Sequence, residues 1–330
     1  MHRLRYLLAL VAVVLVLVGV ALVGNDYRYR KQSVAIPVAG GLLEGVLTLP
    51  PDSEPRGLVV IVHGDGPVDA THDGLYLPWF EAAADAGYAT VSWSKAGIGG
   101  SSGNWLRQSM ADRATEVSTV IDWARTETGA EKVVLWGVSQ AGWVLPAVAV
   151  ARDDIDGIVA VSPAINWLRQ GRFNLLAKLD HEEADPDERA RAIEVSDQTR
   201  ALLTQDTDYT AYRAKTIDPE PMTSDRWEFV KRNHTADATN DLTALAAKHV
   251  PVLLLLGEQD RNVDIAETAT TYQRLLGTNV TVKRFDATHS MAKPAVEDSE
   301  PLGLVTAILW PRALFAAGVL DNHRAFLQTR

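Results

Sequence analysis

Short apolar runs recur along the chain, and segments with helical periodicity separate them. A Gly40-Gly41 pair between two alternating segments, residues 32–38 and 43–50, first predicts a β-hairpin. The uninterrupted apolar runs that follow are typical of strands covered on both faces. They occupy residues 57–64, 89–93, 132–137, 156–163, 250–257 and 279–286. Helical patterns at 77–88, 110–127 and 266–276 lie between them. This alternation predicts an α/β fold with a mostly parallel central sheet flanked by helices.

The alternation stops between Pro163 and about His249, where the chain is polar, charged and without strand patterns. Within this stretch, Asp185 is a predicted N-cap, Pro186 takes the first helical position and Glu188 completes a capping box. We therefore expect a helical cap insertion over 164–249. The remaining segments, 32–163 and 250–330, would form the core domain.

The N-terminal segment differs from everything after it. Residues 6–24 carry no charge and follow Arg3 and Arg5. A helix of that length spans about 28 Å, close to a hydrocarbon core of about 30 Å. The sequence therefore predicts that residues 1–31 are a membrane anchor (a transmembrane signal anchor), with a cleaved signal or a buried helix as the alternatives. The rest of the chain would then be extracytoplasmic, or secreted if the signal is cleaved.

Composition and charge exclude several classes of function. The net charge is −10 and no basic cluster lies outside the N-terminus, which argues against a nucleic-acid partner. Cysteine is absent, which excludes disulfides, cysteine-ligated zinc and a catalytic thiol. No spacing of His, Asp or Glu suggests zinc or calcium ligands, so we expect no metal and no cofactor.

A serine stands where one buried strand gives way to a helix. Residues 137–142 read Gly-Val-Ser-Gln-Ala-Gly, and Ser139 is at the apex of the turn. Such a turn needs small residues two positions before and after the serine, here Gly137 and Ala141, and it exposes the hydroxyl. The motif alone is weak, because a short match of this kind is often an ordinary turn.

Three further segments follow predicted strands and end at the same edge of the sheet. Residues 63–67, His-Gly-Asp-Gly-Pro, can direct a backbone N–H, most plausibly that of Asp65, toward Ser139, and the Gln140 N–H would complete an oxyanion hole. Downstream strands place Asp260 and His289 in loops at this edge. The chain order Ser139, Asp260, His289 is that of a nucleophile, an acid and a base. Asp286 is an alternative to Asp260 as the acid.

These motifs resemble the α/β-hydrolase superfamily, over residues 33–162 and 250–292. The chain is similar to its serine-hydrolase branch with an HGxGP oxyanion loop, which includes dienelactone-hydrolase-like, acyl-thioesterase-like and serine-aminopeptidase-like members. The resemblance implies an α/β-hydrolase core and a cap at 164–249 whose sequence varies with substrate. Residues 92–103 resemble the branch's loop after the fourth strand, but the family usually has Arg at the position of Ala96.

The substrate is less constrained than the chemistry. Trp143, Trp167 and Trp227 are candidates for lining a pocket, with packing as the alternative for each and the commoner role for a tryptophan placed like Trp143. We expect a small-molecule acyl substrate, and a carboxylic ester before a thioester or a small peptide. The alternative from another class is a catalytically silent binding protein on a hydrolase fold. The sequence leaves the oligomeric state open.

Overall fold

The computed structural model describes the backbone of residues 2–330 and the side chains of residues 6, 8 and 10–330. In this part of the chain, eight strands form one sheet in the order β1-β2-β4-β3-β5-β6-β7-β8. The strands are β1 (Arg30–Val38), β2 (Gly41–Leu49), β3 (Gly57–Val62), β4 (Tyr88–Trp93), β5 (Val133–Val138), β6 (Gly157–Val161), β7 (Val252–Gly257) and β8 (Val280–Phe285). Strands β3 to β8 pair in parallel, whereas β1 and β2 pair antiparallel with each other and β2 with β4. The expected α/β-hydrolase sheet, with its N-terminal hairpin, is confirmed.

Helices cover both faces of this sheet. Those outside the long insertion are α1 (His2–Gly24), α2 (Leu77–Asp85), α3 (Met110–Thr128), α4 (Leu145–Ala151), α10 (Ile265–Leu276), α11 (Pro294–Glu297), α12 (Glu300–Leu309) and α13 (Val319–Gln328). Those between β6 and β7 are α5 (Trp167–His181), α6 (Pro186–Thr204), α7 (Tyr209–Lys215), α8 (Ser224–Asn233) and α9 (Thr239–Ala246). The Asp185 side chain caps α6 by accepting from the amides of Asp187 and Glu188. Whether this insertion acts as a cap stays a prediction.

The core consists of two apolar clusters, one on each face of the sheet. Alternate residues of β3 divide between them: Val60 belongs to one cluster, and Val59 and Ile61 belong to the other. Because successive side chains of a strand point to opposite faces, a strand covered by helices on both sides must be apolar throughout. All six residues of β3 are buried, as this requires.

The C-terminal part is divided into several short helices. Two additional helices, α11 and α12, and a 3-10 turn lie between the His289 loop and α13. Prolines explain the division, because Pro294, Pro301 and Pro311 each occupy the first or second position of one of these elements. A proline there favours a new helix start and prevents a continuous helix.

The predicted membrane anchor over residues 1–31 is wrong, and with it the membrane-anchored location. Among the residues that the structure describes, no helix combines the length and the apolarity needed to cross a bilayer. The side chains of residues 1–5, 7 and 9, on which part of that prediction rested, lie outside the described residues.

The C-terminal end of α1 is joined to α12. The side-chain amide of Asn25 donates to the carbonyl of Ile308 at 2.9 Å. Arg312, just after α12, donates to the carbonyl of Gly24 at 2.5 Å and pairs with Glu81 of α2 at 2.6 Å. These contacts fix α12 against the body of the protein.

His323 on α13 should make stability depend on pH. The ring is 1% exposed, packs edge-on against Trp79, and finds no hydrogen-bond partner for either nitrogen among the described residues. Burial lowers its pKa from 6.5 to about 3. Below about pH 6.5 the unfolded chain therefore binds a proton that the folded chain does not. The free energy of unfolding consequently decreases as the pH is lowered.

We expect His323→Phe to lose less stability than the wild type between about pH 7 and pH 5, by roughly 2 kcal/mol. Urea unfolding at the two pH values measures the difference, and unfolding near pH 8, where the ring is neutral in both states, is the control. Identical pH slopes for the two proteins would contradict the prediction.

Candidate active site

Ser139 stands at a sharp turn between β5 and the helical segment that follows. Its φ is +57°, in the left-handed region that residues with side chains seldom adopt. A Cβ at Gly137 would lie 2.6 Å from the Cβ of Ala141, so only glycine fits there. The helix expected after the strand begins as a 3-10 turn, Ser139–Trp143, and continues as α4. The turn has the geometry of a nucleophile elbow.

Asp260 and His289 meet at the same edge of the sheet. The Nδ1 of His289 lies 2.8 Å from the Oδ2 of Asp260, whose side chain is fully buried. The other carboxylate oxygen of Asp260 accepts the amides of Asn262 and Val263 at 2.7 and 2.9 Å. These bonds orient the carboxylate so that Oδ2 faces the imidazole, leaving the far ring nitrogen of His289 for other partners.

Asp286, the alternative acid, has a different environment. Its Oδ1 accepts from the side-chain amide of Gln259 at 2.6 Å. No hydrogen bond joins it to His289 among the described residues. The geometry therefore favours Asp260 over Asp286.

The residues expected to form the oxyanion hole adjoin Ser139. A Cβ at Gly64 would lie 3.4 Å from the Cβ of Ser139, so the loop backbone passes directly over the serine. The side-chain amide of Gln140 donates to the Oδ1 of Asp65 at 3.1 Å. This bond links the serine turn to the loop over residues 63–67. The N–H of Gln140 belongs to the first turn of a helical segment, where backbone donors have no partner within the helix.

Three cations that the sequence analysis did not single out hold this loop. Lys95 donates to the carbonyl of Gly64 at 2.5 Å, and Arg113 donates to the carbonyl of His63 at 2.6 Å. Arg226, from α8 of the insertion, forms two bonds with the carboxylate of Asp65 at 2.7 and 3.1 Å. Lys95 immediately precedes Ala96, the position where the resembled family usually has Arg. A basic residue one position away from the usual one was the signal in the sequence that could have identified Lys95.

Burial and these charges shift the ionisation of the loop. Burial, and then the charge of Arg113, keep the pKa of Lys95 well below its usual value. Burial alone would raise the pKa of Asp65, but the hydrogen bond and charge of Arg226 outweigh it and leave the pKa lowered. His63 is buried, and burial lowers its pKa to about 3, so it is neutral at pH 7, consistent with a structural role.

Two cavities open from Ser139, and both also touch Asp65. The first, here called the insertion cavity, has a volume of about 480 Å³ and lies against α5, α6 and α8, where Trp143, Trp167 and Arg200 line it. The second, the α12 cavity, has a volume of about 640 Å³ and extends beneath α12. His289 lines the α12 cavity and is not among the described residues that line the insertion cavity.

The three candidate pocket tryptophans have different positions. Trp143 and Trp167 stack with ring centres 5.0 Å apart, and both line the insertion cavity. Trp227 is fully buried, stacks on Tyr212 at 3.9 Å and donates to the carbonyl of Thr207. It lines neither cavity in the described part of the chain. Nowhere in the described part of the chain do three or more His, Cys, Asp or Glu side chains come together in a way that could hold a metal ion.

Comparison with known proteins points to one family. The sequence model of the family described as serine aminopeptidase, S33, matches residues 53–292. Among curated proteins, none matches the chain.

Solved structures share the fold at low sequence identity. An esterase of Pyrococcus furiosus, Pf2001, is 16% identical with a TM-score of 0.56, over 91% of this chain and 93% of that one. Est1E of Butyrivibrio proteoclasticus with bound ferulic acid is 17% identical with a TM-score of 0.55, over 90% and 96%. An acylaminoacyl peptidase of Pyrococcus horikoshii is 14% identical with a TM-score of 0.53, over 93% of this chain and 42% of that one.

Substitution of the two carboxylates tests the choice of acid. In Asp260→Asn the amide keeps the shape but favours the wrong imidazole tautomer, so we expect kcat for an activated ester to fall by about 10²–10⁴. The matched variant Asp286→Asn, in the loop after β8 that also carries His289, should stay within about tenfold. Circular dichroism and melting temperature check that both variants are folded. The reverse ranking would assign the acid to Asp286.

Proposed function

The chain belongs to the serine aminopeptidase S33 family and is a hydrolase, and from that premise we propose that it cleaves a carboxylic ester through an acyl-enzyme on Ser139. The observation that carries the proposal is the arrangement around one cavity. Ser139, in a strained turn, and His289, bonded to Asp260, line the same space. A nucleophile, a base and an orienting acid are the parts that acyl transfer requires.

His289 activates the serine in this mechanism. Its far ring nitrogen takes the proton from the Ser139 hydroxyl as the oxygen attacks the ester carbonyl. Asp260 accepts the Nδ1–H of His289, with 2.8 Å between the nitrogen and Oδ2. This bond fixes the tautomer and stabilises the imidazolium that forms. The leaving alcohol then receives the proton from His289.

The backbone amides of Asp65 and Gln140 bind the negative charge that develops on the carbonyl oxygen. A single donor of this kind contributes about 2.7–4 kcal/mol to the transition state in an enzyme where one was removed. The Lys95 and Arg113 bonds to the loop carbonyls, and the Arg226 pair with Asp65, support this geometry. Water then attacks the acyl-enzyme, with His289 again as the base, and releases the acid.

The ester is preferred over related acyl substrates on charge. The chain carries a net charge of −10, which disfavours a polyanionic thioester such as an acyl-CoA. Thioester and small-peptide hydrolysis use the same machinery, and the family's description makes peptides the main alternative. A silent binding protein on this fold is the alternative from another class.

Labelling with a fluorophosphonate probe tests the proposal and separates these alternatives. The wild type should react, and Ser139→Ala should not react and should lose at least about 10³-fold in kcat. Ser118→Ala, at a half-buried position on α3 that lines neither cavity among the described residues, is a control that should label like the wild type. A panel of matched acetate ester, acetyl thioester and aminoacyl anilide ranks the substrate classes.

Equal labelling of the wild type and Ser139→Ala would remove Ser139 as the nucleophile. An unlabelled wild type would favour the silent binding protein. Faster turnover of the anilide than of the ester would make the protein a peptidase.

A further inference from the structure

The α12 cavity is larger and more apolar than a catalytic triad requires. Aromatic side chains from the body of the protein, Tyr76, Trp79 and Trp136, form one wall. Phe315 packs edge-on against Trp79, with ring centres 5.6 Å apart, and Leu304 and Ala307 of α12 complete the lining. Nothing in the mechanism above uses these residues.

The cavity is a built feature because its roof is anchored. Arg312 follows α12 and makes two bonds to the carboxylate of Glu81 at 2.6 and 2.8 Å. Asn25 donates to the carbonyl of Ile308 within α12. These contacts hold the roof at a set distance from the aromatic wall.

The position of His289 decides which part of an ester enters this cavity. In the tetrahedral intermediate, the oxyanion faces the Asp65 and Gln140 amides, and the leaving oxygen must lie within about 2.6–3.2 Å of the protonated imidazole. His289 lines the α12 cavity and does not line the insertion cavity among the described residues. The leaving group therefore lies on the α12 side, and the acyl chain extends toward Trp143 and Trp167.

We propose that the α12 cavity binds the alcohol part of the substrate, and that this alcohol is neutral and apolar. The proposal rests on the ester hydrolysis proposed above. In the step it serves, the bond from Ser139 to the acyl carbon forms and the bond from that carbon to the alcohol oxygen breaks. The alcohol leaves with the proton that His289 took from Ser139.

Charge and apolar area both support a neutral, apolar alcohol. Glu297 and Glu300 line the α12 cavity, and they disfavour an anionic leaving group. Each methylene buried against the aromatic wall should raise kcat/KM about fourfold until the cavity is filled. The enzyme should therefore prefer esters of longer alcohols over methyl esters of the same acid.

Two isomeric esters test the assignment without changing overall hydrophobicity. Hexyl acetate places the chain on the alcohol, and methyl heptanoate places nearly the same chain on the acid. Ala307→Phe fills the α12 cavity from its roof, and we expect kcat/KM for hexyl acetate to fall about tenfold or more. Methyl heptanoate should change less than about threefold.

The reciprocal variant fills the other cavity. Gly171 of α5 lines the insertion cavity, and a Cβ there would meet no atom within 4 Å, so Gly171→Leu should fold normally. It should slow methyl heptanoate more than hexyl acetate. Val305→Phe, on the outer face of α12 at a residue 51% exposed, is the control that should change neither rate.

The melting temperature of each variant is measured together with its rates, to check that the variant is folded. If Ala307→Phe does not fold, Leu304→Trp replaces it, because Leu304 lines the same cavity and is 61% exposed. The assignment is overturned if filling the α12 cavity slows methyl heptanoate instead, or slows both isomers equally in a folded protein.

A reference ester keeps the two proposals distinguishable. If the wild type hydrolyses ethyl acetate but the isomers do not respond as described, only the assignment of the cavity fails. If it hydrolyses neither ethyl acetate nor either isomer, the proposed ester hydrolysis itself fails.

Discussion

The backbone of Ser139 is held in a left-handed conformation, with φ at +57°, and much of the surrounding structure serves to maintain it. Strain of this kind persists only where the neighbourhood over-determines it. Here β5 is paired on both sides, by β3 and β6, so the strand before the serine cannot shift. Gly137 and Ala141 cross at a separation that admits no further side chain. The serine hydroxyl is thereby presented at the edge where ligands bind in α/β sheets.

Buried cations are the second feature on which the site depends. Lys95 and Arg113 are 3% and 6% exposed, and each donates to a loop carbonyl next to the serine. Burying a charge is costly unless it is well bonded, so retaining two of them beside Ser139 points to a requirement for this loop geometry. Arg113 keeps its positive charge next to this loop, and that charge would favour the negative oxygen of the proposed acyl transfer.

The two cavities are closed by segments that are distant from each other in sequence. Arg226 of the insertion pairs with Asp65, so the position of the insertion is linked to the loop proposed to form the oxyanion hole. The other wall comes from α12, which α1 and Arg312 hold in place. The sheet thus positions Ser139, Asp260 and His289, while the insertion and the C-terminal helices line the two cavities beside them.

The sequence alone predicted the order of strands and helices, the serine turn and the loops that carry Asp260 and His289. These features depend on local periodicity and on which residues follow each strand. The sequence also preferred Asp260 to Asp286, but only packing shows which carboxylate meets the imidazole, because both lie in loops at one sheet edge. The apolar pattern of residues 6–24 predicted a membrane anchor, but no helix of the described residues can cross a bilayer. The structure joins the end of α1 to α12 instead, a contact between residues 283 positions apart that no local pattern indicates. The roles of Lys95, Arg113 and Arg226 and the existence of two cavities were decided by tertiary structure alone, because they bring together residues that neither spacing nor composition relates.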